Sequence, residues 1–457
     1  MTSHLSPSPE PELDPLDERT GPPPARRLRT FDSLIDVPAF RWYLLSMTGQ
    51  WSALQMQQLV RGFLAYQLTG SFAALGAVEL GNSLPRIVFA LYGGVVADRS
   101  SRRVLVQMGQ SINAAIAIVV AATLFLGLLR FEHLVIAAVV QGSVNSFALP
   151  ARQAMIPEIV GPARVMNAFA LNVFALNMMR LGAPALASAV IAFFSAAWVY
   201  VLMAFLNILA VVTMFAVPRT TAASREAARA ALEVNAPGEP VLVPPGGHGG
   251  HTSGSRTGFR EIGEAFRYLR GQHVLMILLG LQGITSMLAL PYQRLLPGFV
   301  DEVLSDGPTR TALIMGMLLT FTAIGALIGS LIIASLPNRA RGKLLIGSLV
   351  IFGIALAAFA SSNWLWVSAG TVLVLGIGQA GRQSLVSILI QTTVSDTYRG
   401  RISSIQLLED GVESLGIFGI ALLADWIGPQ LALGGVAVSL LILAAGMWSN
   451  RTIRQLQ

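Results

Sequence analysis

Apolar residues fill most of this chain in blocks of about twenty, each long enough to cross roughly 30 Å of hydrocarbon as a helix. Short polar, Gly- or Pro-containing breaks separate the blocks and predict twelve spans. They lie at 41–66, 72–96, 104–128, 134–154, 166–193, 197–216, 274–297, 309–336, 343–361, 364–393, 401–424 and 430–448. The segment ahead of them, "MTSHLSPSPEPELDPLDERTGPPPARRLRT", is charged, Pro-rich and without an apolar centre. It reads as a disordered cytosolic tail over 1–38 rather than a signal peptide. Spans one to six then form a first unit, 39–217, and spans seven to twelve a second, 273–450. Between them, 218–258 is rich in Ala, Pro and Gly and reads as a flexible linker. Over 259–272, Phe259, Ile262, Phe266 and Leu269 share one face, which predicts a helix lying on the membrane surface. Residues 451–457 form a short cytosolic end.

The polar positions inside the spans recur at i, i+3, i+4 and i+7, so they make stripes on single helix faces. Span eleven carries Gln406, Glu409, Asp410 and Glu413, and span two carries Glu79, Asn82, Ser83 and Arg86. Span one has Gln50, Gln57 and Arg61, span four Gln141, Asn145 and Arg152, and span five Asn177 and Arg180. Span seven offers Gln282, Thr285, Ser286 and Gln293, and span ten Gln379, Arg382, Gln383 and Ser387. Spans six, nine and twelve have almost no stripe, and span three is polar only toward its start. An ionised group in mid-bilayer is costly and therefore faces a cavity or a partner. The striped spans are thus expected to line a central cavity. The acids Glu409, Glu413 and Asp410, with Glu79, are the expected proton-coupling groups, because crowded acids away from water share and exchange protons as a set. Structural ion pairing is the competing reading, strongest for Glu79 with Arg86.

Composition narrows the class. Charged residues make up 12% of the chain, against roughly 25% in soluble domains. The formal charge of +7 does not form a nucleic-acid patch. Instead Lys and Arg gather in alternate loops, from "DRSSRR" at 98–103 to Arg152, Arg164, Arg339, Arg341, Lys343, Arg399 and Arg401. That is the positive-inside pattern, and it places both termini in the cytoplasm. With no cysteine, disulfides and thiol chemistry are excluded. His248 and His251 in "GGHGGH" lack further ligands, and "GIGQAG" at 376–381 lies within an apolar span rather than after a strand. No cofactor or metal is expected.

The two units echo each other: "ARQA" at 151–154 returns as "GRQS" at 381–384, and "DRSSRR" returns, weakened, as "NRARGK" at 338–343. "GGVVADRSSRR" at 93–103 resembles the loop motif between spans two and three of the major facilitator superfamily. "ALPARQAMIPEIVGPARVMNAFALNVFALNMMRLGAP" at 148–184 is similar to its drug:proton antiporter branch, which includes the enterobactin exporter and macrolide efflux proteins. In "RLGAP", Ala183 stands where the branch's span-five motif has Gly. The resemblance implies an all-α membrane protein of twelve helices in two pseudo-symmetric six-helix halves, with spans three, six, nine and twelve peripheral. It also implies a conformational latch at Gly94, Asp98, Arg99, Arg102 and Arg103, in which the aspartate meets a helix end of the other half. The expected protein is a monomeric, proton-coupled exporter in a prokaryotic plasma membrane. Its expected cargo is a small amphipathic or weakly cationic organic molecule, drug-like or siderophore. An importer or lipid transporter on the same fold is the alternative; a receptor or enzyme is disfavoured, because no nucleophile–base pair, His cluster or folded soluble domain is evident.

Overall fold

The computed structural model describes residues 32–161, 164–218, 273–305, 307–336, 340–393, 409–450 and 454, with the side chains of 32, 90–99, 273–274, 391–393 and 409–410 outside the description. Most of the N-terminal tail, the linker, the surface helix over 259–272, Gln406 and nearly all of 451–457 therefore lie outside the described residues.

Each predicted span has a helical rod. The first six are Pro38–Thr69, Phe72–Arg99, Arg102–Phe125, Phe131–Val160, Val165–Phe193 and Ala196–Met214. The last five are Pro308–Ser335, Arg341–Ala360, Leu365–Thr393, Glu409–Ile427 and Pro429–Ser449. The seventh is broken: His273–Ala289 gives way at Pro291 to a second segment, Pro291–Phe299, and a π-helical turn, Val300–Leu304. Proline lacks the N–H that would continue the ladder, so a new first turn starts there. Span one stops at Gly70, whose φ of 62° suits glycine and whose N–H closes on the Tyr66 carbonyl at 2.7 Å. Among the described residues every regular element is helical, and nine rods are apolar and long enough to cross a membrane by composition alone. Span one is not one of the nine, because Gln50, Gln55, Gln57, Gln58 and Arg61 dilute it.

The same packing plan is used in both halves. Span two packs on four as eight packs on ten; three lies on six as nine lies on twelve. Glycine allows the closest crossings. A Cβ on Gly142 would collide with the Asn82 backbone, and one on Gly325 or Gly376 would collide across spans eight and ten. The halves meet along two seams, span two on eleven and span five on eight. Large apolar side chains such as Ile118, Ile136, Phe205, Leu431 and Ile442 point outward; on a soluble protein such a surface would aggregate, and here it meets acyl chains. Trp198, Trp364, Trp366 and Trp426 are exposed near span ends, where indoles suit the membrane interface.

Candidate functional site

Two adjoining cavities of about 360 and 350 Å³ lie between the halves. Each is within the size range of small-molecule sites. The first, toward the end where span one turns into span two, is walled by spans one, two, five, seven, eight, ten and eleven. The second, toward the opposite end, reaches Trp51, Asn145, Leu149 and Arg152. Gln55, Gln58, Arg61, Glu79, Arg180, Arg294 and Glu413 line both. Among the described residues, spans three, six, nine and twelve contribute no lining residue.

Glu79 occupies the centre and joins the halves. Its carboxylate lies 3.4 Å from Arg294 Nη2 on span seven and 3.9 Å from Arg61 Nη2 on span one. Arg61, only 4% exposed, also donates to Gln141 Oε1 at 3.0 Å. With its amide oxygen turned to the guanidinium, Asn82 accepts from Arg61 Nη1 and Nη2 at 3.2 Å. Gln141 in turn donates to Gln57 and Asn113, tying spans one, three and four together. The second half has its own neutral network: Gln379 Oε1 accepts from Tyr292 Oη and Gln293 Nε2, each at 3.1 Å. Among the described residues the cavity walls carry five arginines (Arg61, Arg86, Arg152, Arg180, Arg294) and two glutamates, Glu79 and Glu413.

The end of the bundle at the first loop is sealed across the halves. The Asp425 carboxylate, at the end of span eleven, accepts from Phe72 N at 2.6 Å, Ala73 N at 2.9 Å and Ser71 Oγ at 2.6 Å. The two amides are free donors of the first turn of span two, so a carboxylate there satisfies them and suits the helix dipole. Tyr66 Oη donates to Glu302 Oε1 at 2.6 Å beside it, and Gly298 admits the Tyr66 and Phe72 rings. At the opposite end the first half is tied within itself. Arg102 pairs with Glu158 and donates to the Ala154 carbonyl; Arg103 donates to the Phe215 and Val217 carbonyls at the end of span six.

Paired cavities between two packed six-helix halves, with central charges bridging the halves, are the outline of an alternating-access carrier. The family model "Major Facilitator Superfamily" matches residues 43–408. The chain belongs to the major facilitator superfamily. It is 24% identical over 382 residues to the MFS-type transporter YfiS of Bacillus subtilis, covering 80% of this chain and 82% of that one. It is 22% identical over 362 residues to the staphyloferrin A transporter of Staphylococcus aureus, covering 78% and 81%. The crystal structure of the nucleoside transporter NupG superposes with a TM-score of 0.68 at 13% identity, covering 90% of this chain and all of NupG. This protein is thus a multi-pass membrane transporter of small molecules, not an enzyme.

In this major facilitator chain the predicted cavity residues divide. Gln57, Arg61, Glu79, Asn82, Arg86, Asn145, Arg180, Gln379, Gln383 and Glu413 line one cavity or both. Asn177 and Gln282 are not among the lining residues, and neither is Gln50, which is fully buried and accepts from Gln110 on span three at 3.2 Å. Its stripe faces a neighbouring helix at that level, which spacing within one helix does not reveal. Gly94, Asp98 and Arg99 belong to the last turns of span two, and the side chains of Asp98, Arg99, Glu409 and Asp410 lie outside the described residues. Sequence reading missed Arg294. The span was expected to stop at 297, whereas the broken rod runs on to Leu304 and carries Arg294 inward from the membrane edge.

Proposed function

We propose that this carrier is a proton-coupled exporter of small amphipathic organic molecules, drug-like or siderophore, working by alternating access in a prokaryotic plasma membrane. It acts as a monomer with both termini cytoplasmic. The observation that supports this best is the position of Glu413, on the second half, in the wall shared by both cavities. As the halves rock, such a group is offered to water on each side in turn and can trade its proton against cargo. Glu409 stands one turn before it on the same helix, with Asp410 next to it, so the three acids act as one titrating set. Glu79 serves as the tie between halves rather than as the main proton carrier, since two arginines already hold it. The relative named as a staphyloferrin A transporter supports the siderophore side of this reading.

The test is transport in reconstituted vesicles with an imposed proton gradient. Glu413→Gln is expected to abolish gradient-driven accumulation while leaving the protein folded, and Glu409→Gln to impair it. Uphill transport retained in both would remove the coupling role; net inward movement by the wild type would replace export with import. The motif at Gly94, Asp98, Arg99, Arg102 and Arg103 is proposed to latch one conformer. On that reading Asp98→Asn lowers transport but spares cargo binding, and equal loss of both would reject the latch.

A further inference from the structure

Among the described residues, two arginines in the cavity walls have no acid paired with them. Arg180 lines both cavities, is exposed to them, and makes no ion pair or hydrogen bond among the described residues. Arg152 lines the second cavity and is 4% exposed, yet its Nε and Nη1 have no hydrogen-bond partner among the described residues. Its guanidinium lies 5.1 Å from the centroid of the Trp51 ring, and the Trp51 indole N–H is likewise without a partner. Every unmet group just named is a donor. Of the two cavity glutamates, Glu79 is already shared between Arg61 and Arg294. A buried cation left without an acceptor is costly, more so at membrane depth. An anionic ligand removes that cost by supplying oxygen acceptors, and arginine's planar fork matches a carboxylate in two bonds. Leu54, Leu149 and Leu176 complete the same wall and suit an organic frame rather than a bare inorganic ion.

We infer that the cavity takes an organic anion bearing carboxylate-type groups, received by Arg180 and Arg152 with Trp51 against its frame. This rests on the transporter reading above but reverses the sign of charge expected for its cargo. Asn145 Oδ1, an acceptor without a partner in the same wall, would meet a hydroxyl or protonated group of the ligand.

The experiment uses the full chain, purified in detergent, with three probes on one ring: isophthalate, isophthalamide and m-xylylenediamine, which are anionic, neutral and cationic. Isophthalate is expected to raise the melting temperature in a saturable way, and the other two are not. Arg180→Gln should weaken isophthalate binding about tenfold or more, the scale of one charged hydrogen bond. Arg180→Lys, which keeps the charge without the fork, should restore part of it. Arg152→Gln should do the same as Arg180→Gln if it folds; Arg180 is exposed, so its variants keep the test open if Arg152→Gln does not. Stabilisation by the diamine or the amide rather than the diacid, or no saturable effect of the diacid, overturns the proposal. Binding of the diacid that is insensitive to both arginines overturns it too. Diacid binding without any proton-gradient-driven movement in vesicles would leave the anion site standing and reject the proton-coupled exporter.

Discussion

Arg152 and Arg382 hold the same place in the repeated sequence of the two halves, "ARQA" on span four and "GRQS" on span ten, and both are almost fully buried. Their surroundings differ. Arg382 donates Nη1 to Thr285 Oγ1 on span seven at 2.8 Å and lines neither cavity. Arg152 lies against the Trp51 ring on span one, lines a cavity, and keeps two donors without partners. The contrast extends to the walls as wholes. Of the five cavity arginines only Arg294 belongs to the second half, whose other polar lining side chains are amides, Thr322 and Glu413. One helix plan, used twice, therefore carries two charge plans: the first half gathers cations, and the second supplies packing and an acid. The ion pair of Glu79 with Arg294 is one place where the two plans touch.

The largest expected effect comes from breaking that contact. Glu79→Gln leaves Arg61 and Arg294 without their shared counter-ion, and removal of one partner from a buried pair costs about 3–5 kcal/mol. Thermal unfolding of the purified variant should show it. A double-mutant cycle with Arg294→Gln should return a coupling energy well above the ~0.5 kcal/mol expected of independent sites. Additive losses would mean that the halves are not tied there.

The repeated arginines give the next effect in size. Arg382→Gln should lower stability by about 1.5–3 kcal/mol, the range for a hydrogen bond from a charged donor. It should leave isophthalate binding unchanged, while Arg152→Gln should show the reverse balance. Equal behaviour of the two would erase the distinction drawn between the halves.

The smallest effect is expected at the sealed end. Asp425→Asn keeps one acceptor oxygen but loses the charge and the second oxygen, a change of about 1 kcal/mol for an exposed helix cap. That corresponds to about a fivefold rise in the open fraction at that end. The chain has no cysteine, so a single cysteine at Val78 in the cavity wall would report it through its labelling rate. An unchanged rate would show that the contact does not set the equilibrium.

The spans were legible because lipid imposes one solution on an apolar block of twenty residues, and the twin halves because the repeated motifs survive. The stripes on spans one, two, four, ten and eleven also pointed to most of the wall. What single-helix spacing does not show is which neighbour a stripe meets, as Gln50 illustrates against span three. Nor does it show how a proline break lengthens a rod, which hid Arg294 behind Pro291. Gln55 and Gln58, beside the predicted Gln57, also line the cavities; a stripe drawn as one line was narrower than the helix face exposed between the halves. Asp425 had no sequence signal at all, since its partners belong to a helix more than three hundred residues away.

The Asp425 seal is made on one side by backbone amides, and this sets an uneven tolerance to mutation. At position 73 any residue except proline keeps the N–H that Asp425 receives, so exchange of that side chain leaves the donor in place. At position 425 only a carboxylate offers two equivalent acceptor oxygens to three donors. A saturation scan of the sealed end should therefore find one strict position facing a permissive one, with proline as the sole severe substitution at position 73.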